Sequence, residues 1–236
     1  MALPRLLPAA LLALSACAPA AVRAGPLRVA FFTGGGYHDY KTLAPLLTAK
    51  IAELADVTFD VQWTLKDLQD ARDFSRWDAV VYDTCYDDPG NDPGLIERLR
   101  SVTREGKPAV FIHCAVHTFR ISEDWARCCG QLSRTHAPYQ AFSTEKVDPG
   151  HPVLQGWPDD WRTEGDELYK TLELYEHARP LLRAKGTQDV VCWTATYGKG
   201  RIFATTLGHD LKTAARPDYH RLLARGLLWA CGRLDR

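Results

Sequence analysis

One feature constrains this chain more than any other. Short apolar runs are followed, again and again, by stretches whose apolar residues recur at helical spacing. Residues 27–33 (LRVAFFT) form the first run, which ends in Gly34-Gly35-Gly36, and residues 40–54 then carry apolar side chains on a helical repeat. The alternation continues with strands predicted over 57–63, 79–82 and 109–112 and a helix over 93–105. A strand that is apolar on both sides must be covered on both sides, and an intervening helix returns the next strand parallel to the last. The sequence therefore predicts an α/β fold, a mostly parallel sheet with helices on both faces.

Beyond a helix predicted over 122–129 the pattern changes. Residues 135–147 alternate weakly, and His151-Pro152, Trp157-Pro158 and Asp159-Asp160 mark loops, which together read as an excursion over the sheet. Strands over 190–196 and 201–205 flank Tyr197-Gly198-Lys199-Gly200, a turn that predicts an antiparallel hairpin, and a helix over 219–231 closes the chain. No repeat or Gly/Ser/Pro-rich linker divides residues 25–236, so they read as one domain.

Residues 1–24 read as an export signal, with Arg5 ahead of a short apolar run over 6–14 and small residues after it. That run is interrupted by Pro8 and falls short of the ~20 residues a membrane helix needs. Leu14-Ser15-Ala16-Cys17 resembles a lipoprotein lipobox, with cleavage before Cys17. Cleavage after Ala24, behind Val22-Arg23, is the alternative. The expected location is periplasmic or lipid-anchored, and such an anchor would be the only membrane attachment. Lys plus Arg and Asp plus Glu stand at 29 each, which disfavours nucleic acid as a partner. Cys85, Cys114, Cys128, Cys129, Cys192 and Cys231 are expected to be mainly buried thiols, with room for one disulfide.

Ligands of open α/β sheets bind beyond the carboxyl ends of the strands, where His38, Asp39, Asp83, His113, His117 and His209 are expected to fall. Imidazoles gathered there can hold a divalent metal or move protons near neutral pH. The metal set read from the sequence is His38, His113, His117 and His136, with Glu167 or His209 able to complete an N/O site suited to Zn²⁺. His113 and His117 are four residues apart but straddle a strand end, so they do not share one helical face. His151, His177 and His220 are read as structural. Asp166-Glu167 supplies carboxylates for base, ligand or hydroxyl-binding roles. Of the seven tryptophans only Trp157 and Trp161, in the excursion, are candidate sugar platforms.

Four blocks carry a family likeness: Gly35-Gly36-Tyr37-His38-Asp39-Tyr40, Ile112-His113-Cys114-Ala115-Val116-His117, Asp166-Glu167-Leu168-Tyr169, and Tyr197-Gly198-Lys199-Gly200-Arg201 leading into Leu207-Gly208-His209-Asp210. In them the chain resembles the ThuA-like (trehalose utilisation) family, a branch of the class I glutamine amidotransferase fold. The resemblance implies a flavodoxin-like sheet and a role in carbohydrate use, trehalose and oxidised or keto-sugar derivatives being the expected small-molecule partners. It also lets Cys114 be laid over the amidotransferase elbow Gly-x-Cys-x-Gly-His, although Ile112 and Val116 replace both glycines. The leading expectation is a sugar-processing enzyme of isomerase or hydrolase type. In it His113 and His209 act as acid and base or as ligands, Glu167 assists, and His38, Asp39, Tyr40, Arg120 and Trp157 hold substrate. The alternatives are an exported sugar-binding protein without turnover and an amidohydrolase that uses Cys114 as nucleophile.

Overall fold

The structure, a computed structural model, describes residues 25–86 and 92–234. The proposed leader, with Cys17, lies outside the described residues. Strand β1 (Leu27–Gly35) leads into α1 (Tyr40–Leu54), β2 (Val57–Gln62), α2 (Leu65–Asp70), β3 (Ala79–Cys85), α3 (Pro93–Arg104) and β4 (Ala109–Ile112). A 3-10 turn, His113–Val116, then passes to α4 (Glu123–Cys129) and β5 (Gln131–Leu132). The rest comprises β6 (Thr144–Lys146), β7 (Glu173–Leu174), β8 (Ala178–Ala184), β9 (Val190–Tyr197), β10 (Gly200–Thr205), α5 (Leu211–Ala214) and α6 (Pro217–Ala230).

The main sheet runs β2-β1-β3-β4-β10-β9-β8-β6, parallel as far as β10 and antiparallel beyond it. Alternate side chains of each strand face opposite layers. Phe31 and Phe203 join Leu43, Leu47, Leu222 and Leu227 under α1 and α6, whereas Phe32, Tyr82 and Phe111 join Leu95, Leu99 and Trp125 under α3 and α4. Burial of this kind is worth roughly 1.5–3 kcal/mol per large apolar side chain, which is why both faces have to be covered. The caps are local: Asp39, Asp92 and Ser122 each accept a backbone N–H of the helix they precede, and Pro93 sits at the first helical position.

The α/β fold predicted from the alternation is observed, with two differences. The hairpin of β9 and β10 belongs to a larger antiparallel wing that includes β8 and β6. Strand β8 (ARPLLRA) hides its period behind Pro180 and two arginines, and a bulge breaks its register against β9. Helix α2 is only six residues long and rests on a capping box between Thr64 and Asp67 rather than on an apolar repeat. The excursion folds back on itself, with bridges His136↔Tyr169, Gln140↔Asp166 and Ser143↔Arg162. Among the described residues no helix is long and apolar enough to cross a membrane.

Strand β1 passes to β2 on one side and β3 lies on the other, so the order reverses between β1 and β3, the crevice where such sheets bind ligands. Gly35 makes the approach there possible. Its φ is +129°, and a Cβ would sit 2.1 Å from the carbonyl oxygen of Cys85.

Candidate functional site

Four chain segments end at this rim. His38 follows β1, Cys85 ends β3, His113 follows β4 and His209 follows β10, while the folded-back excursion lowers Glu167 onto them. The ring centroid of His38 lies 4.7 Å from that of His113 and 4.8 Å from that of His209, and the last two are 5.4 Å apart. Glu167 Oε2 stands 3.5 Å from His113 Nε2 and 3.4 Å from His209 Nδ1. One donor atom from each of His38, His113, Glu167 and His209 lies within 4.8 Å of every other.

His113 is set by its backbone. Its φ of +49° makes it one of two non-glycine residues with positive φ among those described, a conformation that surrounding structure must hold in place. Its Nδ1 lies 2.7 Å from the carbonyl oxygen of Thr206, so Nδ1 carries the proton and donates, and Nε2 is turned toward Glu167. The sequence overlay therefore has to be corrected by one residue. The sharp turn after β4 is made at His113, whereas Cys114 is buried in the wall beside Tyr40 and bonded to Cys85. A thiol held in a disulfide cannot serve as a nucleophile.

Asp166 and Glu167 divide their work. Asp166 is fully buried, and its Oδ2 accepts from Gly208 N (2.9 Å) and Thr213 Oγ1 (2.8 Å). Its Oδ1 accepts from Glu167 N (2.9 Å) and His209 N (3.3 Å), so one carboxylate fixes the backbone on which both Glu167 and His209 stand. Burial raises its pKa against the pull of His113 and these donors. Glu167 points into the cluster. Burial works against its charge, but the His113 and His209 imidazoles hold its carboxyl well below the usual range. The reciprocal effect raises the His113 pKa: burial disfavours the imidazolium, and Glu167, Asp166 and the Thr206 carbonyl outweigh it. Burial, together with His113 and His209, pushes His38 down to about 3, so it is a neutral imidazole at physiological pH. His38 Nδ1, His113 Nε2 and His209 Nδ1 are all buried without a hydrogen bond.

Not every residue picked from the sequence joins the cluster. His117 is buried with Nε2 2.9 Å from Ser133 Oγ and its ring stacked 4.1 Å from Tyr169, so it braces the floor rather than joining the donor set. His136 stacks on Tyr169 at 5.5 Å and brings Nε2 to 3.6 Å from Glu167 Oε1, at the edge of the set. Of the metal set expected from sequence, His38 and His113 fall, with His209 and Glu167, in a group of donors close enough to hold a cation, and His117 and His136 lie outside that group. Asp39 caps α1, Tyr40 is buried against the disulfide, and Arg120 lies beside His117, where its charge adds to burial in pushing that imidazole down to about 3. Trp157 and Trp161 are not sugar platforms. They pack against one another, tilted, with ring centroids 4.6 Å apart inside the core, where apolar bulk is worth more than exposure. An exposed aromatic ring beside the cluster is Tyr139, 40% exposed and 5.1 Å from His209, with its hydroxyl donating to Asp210 at 2.7 Å. Nothing local in the sequence marks Tyr139, because the bridges that place it join residues far apart in the chain. Asp83, expected at the rim, is buried beneath it and accepts from Thr33 Oγ1 at 3.2 Å.

A family model described as ThuA, trehalose utilisation, matches residues 28–230. No curated protein matches the chain. Among solved structures, a ThuA-like protein from Parabacteroides merdae is 23% identical with a TM-score of 0.73, covering 89% of this chain and 92% of that one. A ThuA-like protein from Bacteroides uniformis is 15% identical with a TM-score of 0.66, over 90% and 94% of the two chains. A Salmonella typhimurium protein described as cytoplasmic is 17% identical with a TM-score of 0.59, over 86% and 99%. At these identities the structural likeness speaks for the fold.

Proposed function

Because the chain belongs to the ThuA family, which supports a role related to trehalose utilisation, we propose that it is an enzyme acting on a sugar or keto-sugar at a divalent cation held by His38, His113, His209 and Glu167. One observation carries the reading. His38, His113 and His209 each carry a buried ring nitrogen without a hydrogen bond, and one donor atom from each of them and from Glu167 lies within 4.8 Å of every other, although the four residues come from separate segments. Buried polar atoms are ordinarily satisfied, yet His38 Nδ1 has no hydrogen bond, and His113 Nε2 and His209 Nδ1 have only the Glu167 carboxylate at 3.5 and 3.4 Å, so a cation shared by all four groups would satisfy them. An N/O set of this kind suits Zn²⁺, and the Thr206 carbonyl and Asp166 orient ligands as outer-shell partners do.

A cation bound there supplies Lewis-acid polarisation of a carbonyl or hydroxyl oxygen. The chain's own groups supply the rest. His38, neutral and buried, offers a lone pair rather than a charge. Glu167 turns its second oxygen, Oε1, toward His136, which stands at the more open side with its Nδ1 on the Ala137 carbonyl. In this reading that pair takes a proton from a carbon or hydroxyl beside the sugar carbonyl and returns it, the step common to keto-sugar isomerisation and elimination. Tyr139 offers its ring as a face for the sugar, a pairing in which apolar C–H surface covers an aromatic plane.

The test is metal analysis of the purified mature protein together with product analysis on trehalose and its keto derivatives, with and without chelator. Stoichiometric zinc and chelator-sensitive turnover lost in H113A and E167Q are expected. A metal-free protein whose H113A variant turns over normally would end the reading. Export accords with a disulfide, since such bonds persist in oxidising compartments. Cell fractionation and the N-terminal residue of the mature chain test it.

A further inference from the structure

The Cys85–Cys114 disulfide lies against the proposed cation site. Cys85 ends β3 and Cys114 follows His113 in the 3-10 turn after the adjacent strand β4, both buried, with Tyr40 packed against them. His38 faces both sides: its ring is 4.7 Å from His113, and its donor nitrogen and the two sulfurs all lie within 4.8 Å of one another. His38 is therefore common to two donor sets, one of nitrogen and oxygen with His113, His209 and Glu167, the other of nitrogen and sulfur with Cys85 and Cys114.

We propose that reduction of this disulfide converts the pocket into a second, thiolate-rich cation site formed by Cys85, Cys114 and His38, which competes with the histidine–glutamate site for the ligand they share. A dithiol reductant attacks one sulfur and forms a mixed disulfide. It then closes to its own cyclic disulfide, delivering two electrons and two protons and leaving two cysteine thiols. On taking a cation each thiol releases its proton to solvent. While the disulfide is intact the sulfurs offer no thiolate, and a cation is confined to hard and borderline donors. Once it is reduced, two soft donors stand beside His38 and favour Zn²⁺, Co²⁺ and other thiophilic ions. The redox state of one bond thus selects which donor set holds the cation, and with it whether His113, His209 and Glu167 are engaged. The inference rests on the cation reading of the cluster, and its test separates the two.

Co²⁺ is titrated into the metal-free full-length protein in three forms: oxidised, reduced with dithiothreitol that is removed before the titration, and the C85S/C114S double variant. Thiol counting in denaturant verifies the first step, with two more thiols per chain after reduction. The oxidised protein is expected to bind one Co²⁺ with visible ligand-field bands and no sulfur-to-cobalt charge transfer in the near ultraviolet. The reduced protein is expected to bind one Co²⁺ with that charge transfer, at least tenfold more tightly, and to lose the band on reoxidation. The serine variant should bind as the oxidised form does. If it fails to fold, the reversible change in the unaltered chain still decides. Absence of charge transfer in the reduced protein, or two Co²⁺ bound independently, overturns the inference while leaving the histidine–glutamate site standing. Absence of any binding in the oxidised form, with charge transfer after reduction, would leave a thiolate site but overturn the competition, because the histidine–glutamate site would not hold a cation.

Discussion

Asp166→Asn is nearly isosteric, yet it should be among the most damaging single changes in the domain. The carboxylate receives N–H groups from Gly208, Glu167 and His209 and the hydroxyl of Thr213, two donors on each oxygen. An asparagine presents one oxygen and one amide nitrogen, so whichever way it sits its NH₂ faces two donors. The Thr213 hydroxyl can rotate to accept, but a backbone N–H cannot. Leaving a buried donor unsatisfied costs about 1–3 kcal/mol, and an amide nitrogen opposed to a donor is itself unsatisfied, so the loss should be about 2–6 kcal/mol. Against a total of roughly 5–15 kcal/mol that is a large fraction. Urea unfolding should report it as a lower midpoint at unchanged slope. The same substitution releases the backbone beneath Glu167 and His209, so affinity for Zn²⁺ should fall at least tenfold in calorimetric titration. A midpoint within about 0.5 kcal/mol of the unaltered protein, with unchanged Zn²⁺ affinity, would refute the claim that Asp166 is the bracket of the site.

Three further outcomes follow from the same geometry. Gly35→Ala puts a Cβ 2.1 Å from the Cys85 carbonyl at a φ of +129° and should lower the melting temperature sharply, whereas Gly36→Ala, with nothing within 4 Å, should not; equal melts would discount the close approach of β1 to β3. Asp83, pushed up to about 7 by burial against Thr33 and His113, holds its proton more tightly when folded than at the ordinary value of 3.8, so its contribution is present below that value and lost as pH rises toward about 7. Asp83→Asn should therefore melt higher than the unaltered protein at pH 8, by up to about 4 kcal/mol, with the advantage gone at pH 4; a constant difference across pH would count against it. Zn²⁺ at about 100 times its dissociation constant should add about 2.7 kcal/mol to unfolding stability, measured by thermal denaturation with and without chelator, and H38A should abolish the gain.

Much of the fold was legible because its signals are local. The helix predicted over 40–54 and the strand over 109–112 coincide with α1 and β4, since each joins a clear apolar period to an unambiguous end signal. Strand β8 and helix α2 escaped for the opposite reason: one is polar and bulged on the sheet's outer wing, the other too short for any period to show. A period can be read only where one side of an element is consistently buried, so the edges of a sheet are its least readable part.

The candidate site divides along a similar line. His38, His113 and His209 could be chosen from sequence because the switch-point rule converts strand order into a place, and each follows a strand that ends there. Glu167 could be named but not placed. Its position comes from the excursion's return leg, pinned by Asp166 to Gly208 and Thr213, contacts more than forty residues away in the chain. His117 points to function by its place after a strand end and Trp157 by its place in the excursion, and in each case burial claims the side chain first. Cys85 and Cys114 show the complementary case. An even cysteine count permits a pair, but only the adjacency of β3 and β4 says which pair, and it puts the bond beside the histidine that anchors both donor sets. The chemistry of this rim is therefore a property of strand order more than of any motif: β3, lying between β1 and β4, brings a sulfur pair and an imidazole cluster into one pocket, where the state of the first bears on the second.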